Sequence, residues 1–385
     1  MTAMRIDKLF DFFASLKLSV VVLTFALVLV FWGTLAQVKL GLYQAQNEFF
    51  RSFLIYWSPA GSELKLPIFP GGYTIGFVML MNLIAAQIQT FEWSMRKLGL
   101  QLVHFGIILL LVGQLATDML SVESTMHIRE GGSKNYSEMD RYYELVLTET
   151  LPGDKERVTA IPQNLIEDGK EFRNASLPFT VRVNKFYPNS RLGRRDQNST
   201  LPAAASKGYG QQLVLQEAPL ETQMNRRDMA SAVVEIKGDK EPVGTWLASL
   251  WIEETQHIHH DGRSFSINLR PRRLYKDYTI HLESFRHEVY PGTQIPKDFS
   301  SMVRVKNQRT GEERPVRIYM NNPLRYGGET YYQASFDQDD KGTVLQVVRN
   351  PSWLTPYLGC VIVGVGLVWQ FLIHLIPFLK RKVSV

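Results

Sequence analysis

Apolar residues gather in this chain into four long runs, Leu16–Val38, Gly71–Thr90, Leu98–Leu120 and Leu354–Leu379, and between the third and fourth they largely alternate with polar ones. Each run matches the roughly 20 residues that an α-helix needs to cross a bilayer at about 1.5 Å per residue. Four transmembrane helices are expected. Between the third and fourth, Ser121–Trp353 shows a different pattern: short stretches of period two, rich in β-branched and aromatic residues and separated by turn formers. Tyr142–Thr148, Phe179–Tyr187, Gln212–Gln216, Ala232–Lys237, Tyr278–Phe285, Met302–Val305, Val316–Tyr319 and Val344–Val348 each read as strands. The expected fold class is membrane α-helical plus all-β, with a large extracytoplasmic β-sandwich or barrel-like domain inserted between helices 3 and 4.

The chain then divides into three parts. Residues 1–120 form a membrane region with spans at about 16–38, 71–90 and 98–120, residues 121–353 form the β-rich domain, and residues 354–385 carry the last span and a basic tail. Ahead of the first span, Phe10, Phe12 and Phe13 beside Lys8 and Asp11 make Met1–Ser15 an amphipathic lead-in at the membrane surface. The loop Lys39–Pro70 carries Phe49, Phe50, Phe53, Tyr56 and Trp57, which suits an interfacial helix lying along the headgroups. Gly33–Thr34 offers a site of close helix approach. Asn82, an amide inside an apolar run, is expected to hydrogen-bond a neighbouring helix because lipid provides no water. In the β-rich part FTVRVNKFYP echoes YTIHLESFRHEVYP, which suggests two similar sheet units. The polar tract Asn189–Gly210 reads as a mobile loop.

Charge refines this picture. The 43 Lys and Arg residues exceed the 37 Asp and Glu by six, yet they form no long basic run interleaved with aromatics, which argues against a nucleic-acid partner. Many flank the spans instead: Arg5, Lys8 and Lys17, then Arg96 and Lys97, then Lys380, Arg381 and Lys382. The positive-inside rule places these flanks and both termini in the cytoplasm, with 39–70 and 121–353 on the outer side. The first apolar run is too long for a signal-peptide core and further spans follow it, so it reads as a retained helix. Cys360 is the only cysteine. The polypeptide therefore holds no disulfide framework, no CxxC redox pair and no CxxCH haem-attachment motif.

Candidate chemistry centres on histidine. An ionisable side chain inside a span is costly, by about 2.5 kcal/mol or more for the charged types, and usually marks a partner, a path or a ligand. His104 lies in the third span and His374 at a comparable depth in the fourth. The pair reads either as two ligands of one haem b or as unrelated, with His374 near enough to Lys380 to snorkel to the interface. His257, His259 and His260 stand beside Asp261; on a strand the first two share a face and the third opposes them. With no further ligand identifiable there, no metal site is assigned. Neither a Ser–His–Asp order nor a phosphate-binding glycine loop nor a catalytic carboxylate pair is found. The outer domain reads as a scaffold or docking surface.

Taken together the chain resembles the ResB, or CcsB, family of system II cytochrome c biogenesis. The likeness runs over nearly the whole length: SLKLSVVVL and Gly33–Thr34, Asn82–Leu83, HFGIILLLVG from His104 to Gly113, IREGG, YPGT at Tyr290–Thr293, DFSS at Asp298–Ser301, NNPLRYGG at Asn321–Gly328, YYQASF at Tyr331–Phe336 and NPSWLTPYLG. The resemblance implies a non-catalytic or co-catalytic subunit of a holocytochrome c synthase in the bacterial inner membrane. Such a subunit works with CcsA, a multi-span partner carrying a tryptophan-rich haem-binding motif that is absent here. It serves apocytochrome c alongside thiol-reducing proteins of the same pathway. By the same resemblance His104 is an axial ligand to transiently bound haem b, a role that does not carry over to His374 in the same way. One departure is Ala85–Ala86, where many relatives place a cysteine. Two other readings stay open at this point: an electron-transfer subunit with a resident haem between His104 and His374, and a structural assembly factor that never touches haem. The hairpin expected at Ile318–Ser335 reads as architectural.

Overall fold

The computed structural model describes residues 2–59, 64–153, 155–196, 201–223, 226–238, 242–293 and 295–383. Its contacts divide the chain into two compact units, one of residues 1–122, 222–224 and 349–385, the other of residues 123–221 and 225–348.

The first unit is helical. α1 (Thr2–Phe13) and α2 (Leu16–Leu40) are separated by a break at which Ser15, the N-cap of α2, accepts from the amide of Lys17. A short α3 (Leu42–Ala45) runs into a π-helical turn, Gln46–Phe50. There follow the strands β1 (Leu54–Trp57) and β2 (Leu66–Pro70), then α4 (Gly72–Thr90), α5 (Leu98–Leu120) and, after the β-rich segment, α6 (Thr355–Val383). α2, α4, α5 and the stretch Thr355–Leu379 of α6 are long and apolar enough to cross a membrane. The side chains of Arg5, Lys380, Arg381 and Lys382 lie outside the described set.

The loop after α2 departs from the expected interfacial helix. After the helical stretch Leu42–Phe50, Ile55 and Phe69 pair across an antiparallel β1–β2 hairpin. Phe49, Ile55 and Ile75 close a core on Val22 and Leu29 of α2, with Trp32 edge-on to Phe49 and Phe69. Phe53, Tyr56 and Trp57 stay exposed. Gly33 admits this loop rather than another long helix: a Cβ there would come within 2.8 Å of the Phe50 ring. Asn82 behaves as expected. Its Nδ2 donates to the carbonyls of Phe13 at 2.6 Å and Ser15 at 3.2 Å, and Ser19 Oγ donates to its Oδ1 at 2.7 Å, so the amide is satisfied at the α1–α2 break.

The second unit is β-rich. Its strands are β3 (Val122–Arg129), β4 (Ser133–Leu151), β5 (Lys155–Pro162), β6 (Glu171–Phe172), β7 (Thr180–Tyr187), β8 (Ser190–Arg194) and β9 (Leu213–Glu217). They continue with β10 (Ser231–Lys237), β11 (Pro242–Ser249), β12 (Gln256–His260), β13 (Arg263–Val289), β14 (Pro296–Asn307), β15 (Glu312–Tyr319), β16 (Leu324–Tyr326), β17 (Glu329–Phe336) and β18 (Gly342–Arg349). A ten-stranded sheet runs β15-β14-β13-β4-β3-β18-β17-β16, with β12 paired to β13 and β5 to β4; a four-stranded sheet runs β11-β10-β7-β6. The pairings with a described register are antiparallel; β13 and β14 are neighbours in the chain, whereas β7–β10 and β4–β13 bring together strands far apart in sequence.

The 27-residue β13 is the spine, because it contributes to two cores, while the 19-residue β4 pairs along it and contributes to the first. At one end Leu145, Leu147, Phe265 and Ile267 meet Val181, Val183, Val234 and Trp246 of the four-stranded sheet. At the other, Ile280 and Leu282 share a core with Met126, Val303, Ile318, Tyr331 and Leu345 from strands along the rest of the ten-stranded sheet. The echoed segments thus supply β7 to the first core and the last part of β13 to the second. Pro271 sits beside a register shift between β4 and β13, the kind of place in a sheet that tolerates a missing amide hydrogen. Part of Asn189–Gly210 is ordered rather than loop: Ser190–Arg194 pairs with Leu213–Glu217, while residues 197–200 lie outside the described residues.

Candidate functional site

α4 and α5 are joined by a turn of seven residues, so polar groups at similar distances from that turn face one another across the helical hairpin. Gln87 on α4 and Gln101 on α5 meet in this way, and Gln87 Nε2 donates to Gln101 Oε1. Gln101, almost fully buried, also donates from Nε2 to the carbonyl of Thr90 at 3.1 Å. Gln87 Oε1 lies 3.2 Å from His104 Nδ1. The sequence reading singled out the histidine and missed both glutamines. Their equal spacing from Ser94, within apolar runs, is the signal that was available.

His104 Nε2 makes no hydrogen bond among the described residues, and the ring is half-buried. α6 covers a different face of α5. A Cβ on Gly99 would lie 2.7 Å from the Gly366 carbonyl oxygen, one on Gly106 2.6 Å from Val363, and one on Gly113 2.5 Å from Thr355. These three glycines at seven-residue spacing let α6 pack antiparallel along α5. At 3.6 residues per turn, His104 stands about 140–180° around the helix from the glycines of that seam. His374, on α6, is exposed and lies 2.9 Å from Gln370 Nε2 of its own helix. The structure therefore brings His104 to α4, and it does not bring His104 and His374 together.

The donor set fits half of a bis-histidine haem site. One imidazole has its inner nitrogen held by an amide and its outer nitrogen without a hydrogen-bond partner among the described residues, within an otherwise apolar stretch of helix. Among the described residues no group of three or more His, Cys, Asp or Glu side chains is arranged to hold a metal ion. On β12, His257 and His259 do share a face, with rings parallel and 6.4 Å apart. His260 points the other way and packs edge-on to Phe179. Ile258 between them is buried, so the strand register alone accounts for their arrangement.

At the opposite end of the helical hairpin, Asp118 of α5 accepts from Arg51 Nε at 2.8 Å and from the Tyr73 hydroxyl, tying the loop to α4 and α5. In the β-rich unit, NNPLRYGG forms a two-residue hairpin turn at Gly327–Gly328, with φ of 61° and 77°, joining β16 to β17. Directly after it Glu329 is buried. It accepts from Lys276 Nζ at 2.5 Å, Tyr278 at 3.0 Å and Tyr331 at 2.9 Å. Burial raises both tyrosine pKa values well above the ordinary phenol range. This cluster locks the hairpin into the second core, in keeping with an architectural role.

A family model described as ResB-like family matches residues 93–191 and 242–344, just over half of the chain. Protein NrfI of Wolinella succinogenes is 25% identical over 303 residues, which make up 77% of this chain and 29% of that protein. The cytochrome c biogenesis protein CcsB of Crocosphaera subtropica is 30% identical over 131 residues, 32% of this chain and 28% of its own length. The matches thus span under a third of the length of either relative.

Proposed function

Because the chain belongs to the ResB-like family, we propose that it is a membrane subunit of cytochrome c biogenesis. In this reading it works with a CcsA-type haem-handling protein to carry haem across the bilayer and present it to the CxxCH motif of apocytochrome c. Haem is cargo rather than a resident group, and His104 supplies one axial nitrogen. The observation that carries the proposal is the half-site at His104: Nδ1 engaged by Gln87, Nε2 without a hydrogen-bond partner among the described residues, and the ring on a face of α5 turned away from the glycine seam with α6. The second axial nitrogen then comes from the partner protein. A resident haem between His104 and His374 is not favoured, since α6 packs along another face of α5.

The residues of this chain hold and orient; covalent attachment to cytochrome thiols falls to the complex. Cys360 is the only thiol, so the reductant that keeps CxxCH cysteines free is another protein. In this arrangement both termini are cytoplasmic, and the β-rich unit docks apocytochrome c on the outer side. The decisive experiment is His104→Ala in the full complex. Alanine is a good helix former, so the chain accumulates and still associates with its partner. Bound haem falls, maturation of cytochrome c fails, and added imidazole restores part of both. Full haem occupancy and full maturation in the variant would remove His104 from the proposal.

A further inference from the structure

Thr90 is the last residue of α4, so its carbonyl is among those with no partner inside the helix, and a carbonyl oxygen only accepts. Gln101 must therefore turn Nε2 toward it, which leaves Gln101 Oε1 facing Gln87. Gln87 has to meet that oxygen with its own Nε2, which leaves Gln87 Oε1 facing His104. An imidazole nitrogen 3.2 Å from a carbonyl oxygen carries the proton. Reversing either amide sets acceptor against acceptor in at least one of these contacts, so the direction of the relay is set by the backbone and not by a choice of amide orientation.

We infer that Gln87 and Gln101 are positioning residues which, anchored on the Thr90 carbonyl, hold neutral His104 as the Nδ1–H tautomer with the Nε2 lone pair turned away from α4. Histidine in water prefers the other tautomer, with the proton on Nε2. A ligand histidine in that form has to move a proton before its outer nitrogen binds iron; the relay removes this step and fixes the ring plane. The Nδ1–H···O bond also makes Nε2 the stronger donor, as outer-sphere acceptors do for metal-bound histidines generally. The significance of the tautomer rests on the proposed ligand role of His104, but the tautomer itself does not.

Nitrogen NMR on the full-length chain in nanodiscs, with ring-¹⁵N-labelled histidine at neutral pH, tests the relay without haem. The His104 signals are assigned by their loss in His104→Ala. The expected spectrum has Nδ1 protonated and Nε2 bare, and both Gln101→Leu and Gln87→Met shift the population toward Nε2–H. A wild-type ring with its proton on Nε2 overturns the inference, even if neither variant accumulates, and so does an unchanged tautomer in Gln101→Leu. Haemin titration of the chain co-purified with its haem-handling partner separates the two readings. Gln101→Leu is expected to weaken binding about tenfold or more. If His104→Ala binds haemin as well as wild type, the ligand reading fails while the tautomer stands. If His104→Ala loses binding and Gln101→Leu keeps wild-type affinity, the relay has no part in ligation and the inference fails.

Discussion

The seam between α5 and α6 yields a prediction whose sign differs between glycines of the same region. In Gly99→Ala the new methyl starts 2.7 Å from the Gly366 carbonyl oxygen and 2.9 Å from the Gln370 backbone nitrogen. Ordinary contact begins at 3.4 Å, so α6 has to retreat by 3.4 − 2.7 = 0.7 Å, because a backbone carbonyl has no rotamer to escape into. A gap of 0.5–1 Å forfeits about a quarter to a half of each dispersion contact along the interface. Overpacking of this kind costs about 1–3 kcal/mol, against a helix-propensity gain of about 1 kcal/mol for replacing glycine. The net expectation is a destabilisation of about 0–2 kcal/mol. The controls are Gly364→Ala in α6 and Gly76→Ala in α4, where a Cβ meets nothing within 4 Å; they collect the propensity gain alone and melt at or above wild type. The assay is thermal unfolding of the chain in nanodiscs, with retention of the packing of α5 against the entry to α6 checked by cross-linking Thr117→Cys to Ser352→Cys, whose hydroxyls lie 2.7 Å apart. Gly99→Ala melting as high as Gly364→Ala would refute the claim that this glycine is required by close helix approach.

Four further outcomes are expected. A reporter fused at Gly238 is expected to be active only on the outer side of the membrane, and activity in the cytoplasm would invert the proposed topology. Glu329→Ala leaves the Lys276 ammonium, only 6% exposed, without its carboxylate; the loss of about 3–5 kcal/mol expected for a broken buried pair should deplete the protein, as read by abundance in membranes. Pro323→Ala, beside the same hairpin, should likewise lower abundance more than activity per molecule. Alkaline unfolding of the β-rich unit should be steep. Burial pushes the Tyr143 hydroxyl up to about 12 from 10.0, so this tyrosine adds stability that is fully present below pH 10 and disappears between about pH 10 and 12, worth of order 2 kcal/mol. The same direction holds for Tyr278 and Tyr331. Stability rising across that window, read by tyrosine absorbance and circular dichroism together, would contradict the burial argument.

Length and composition determined the four long helices without help from tertiary structure, because a bilayer demands about 20 apolar residues and leaves little else for such runs to be. The same holds for the strands with clear alternation, and for Asn82, whose amide had to find a partner. His104 was legible for a related reason: an imidazole in an apolar run is conspicuous. What the sequence did not yield was any property that depends on how two elements are rotated against each other. Gln87 becomes the partner of His104, and Gln101 the partner of Gln87, only once α4 and α5 have settled their facing sides. Gly99, Gly106 and Gly113 become a seam only when α6 lies on them, and that seam turns His374 away from His104. The first part of β13 was hidden for another reason. Its stretch RPRRLYKD carries too much charge to read as a strand, yet Arg270 and Arg273 find Glu144 and Glu138 across the ladder on β4, so the charges that obscure the strand in sequence pair it in space. Periodicity along one element reports which face is apolar; which neighbour that face meets is set by packing between elements distant in the chain.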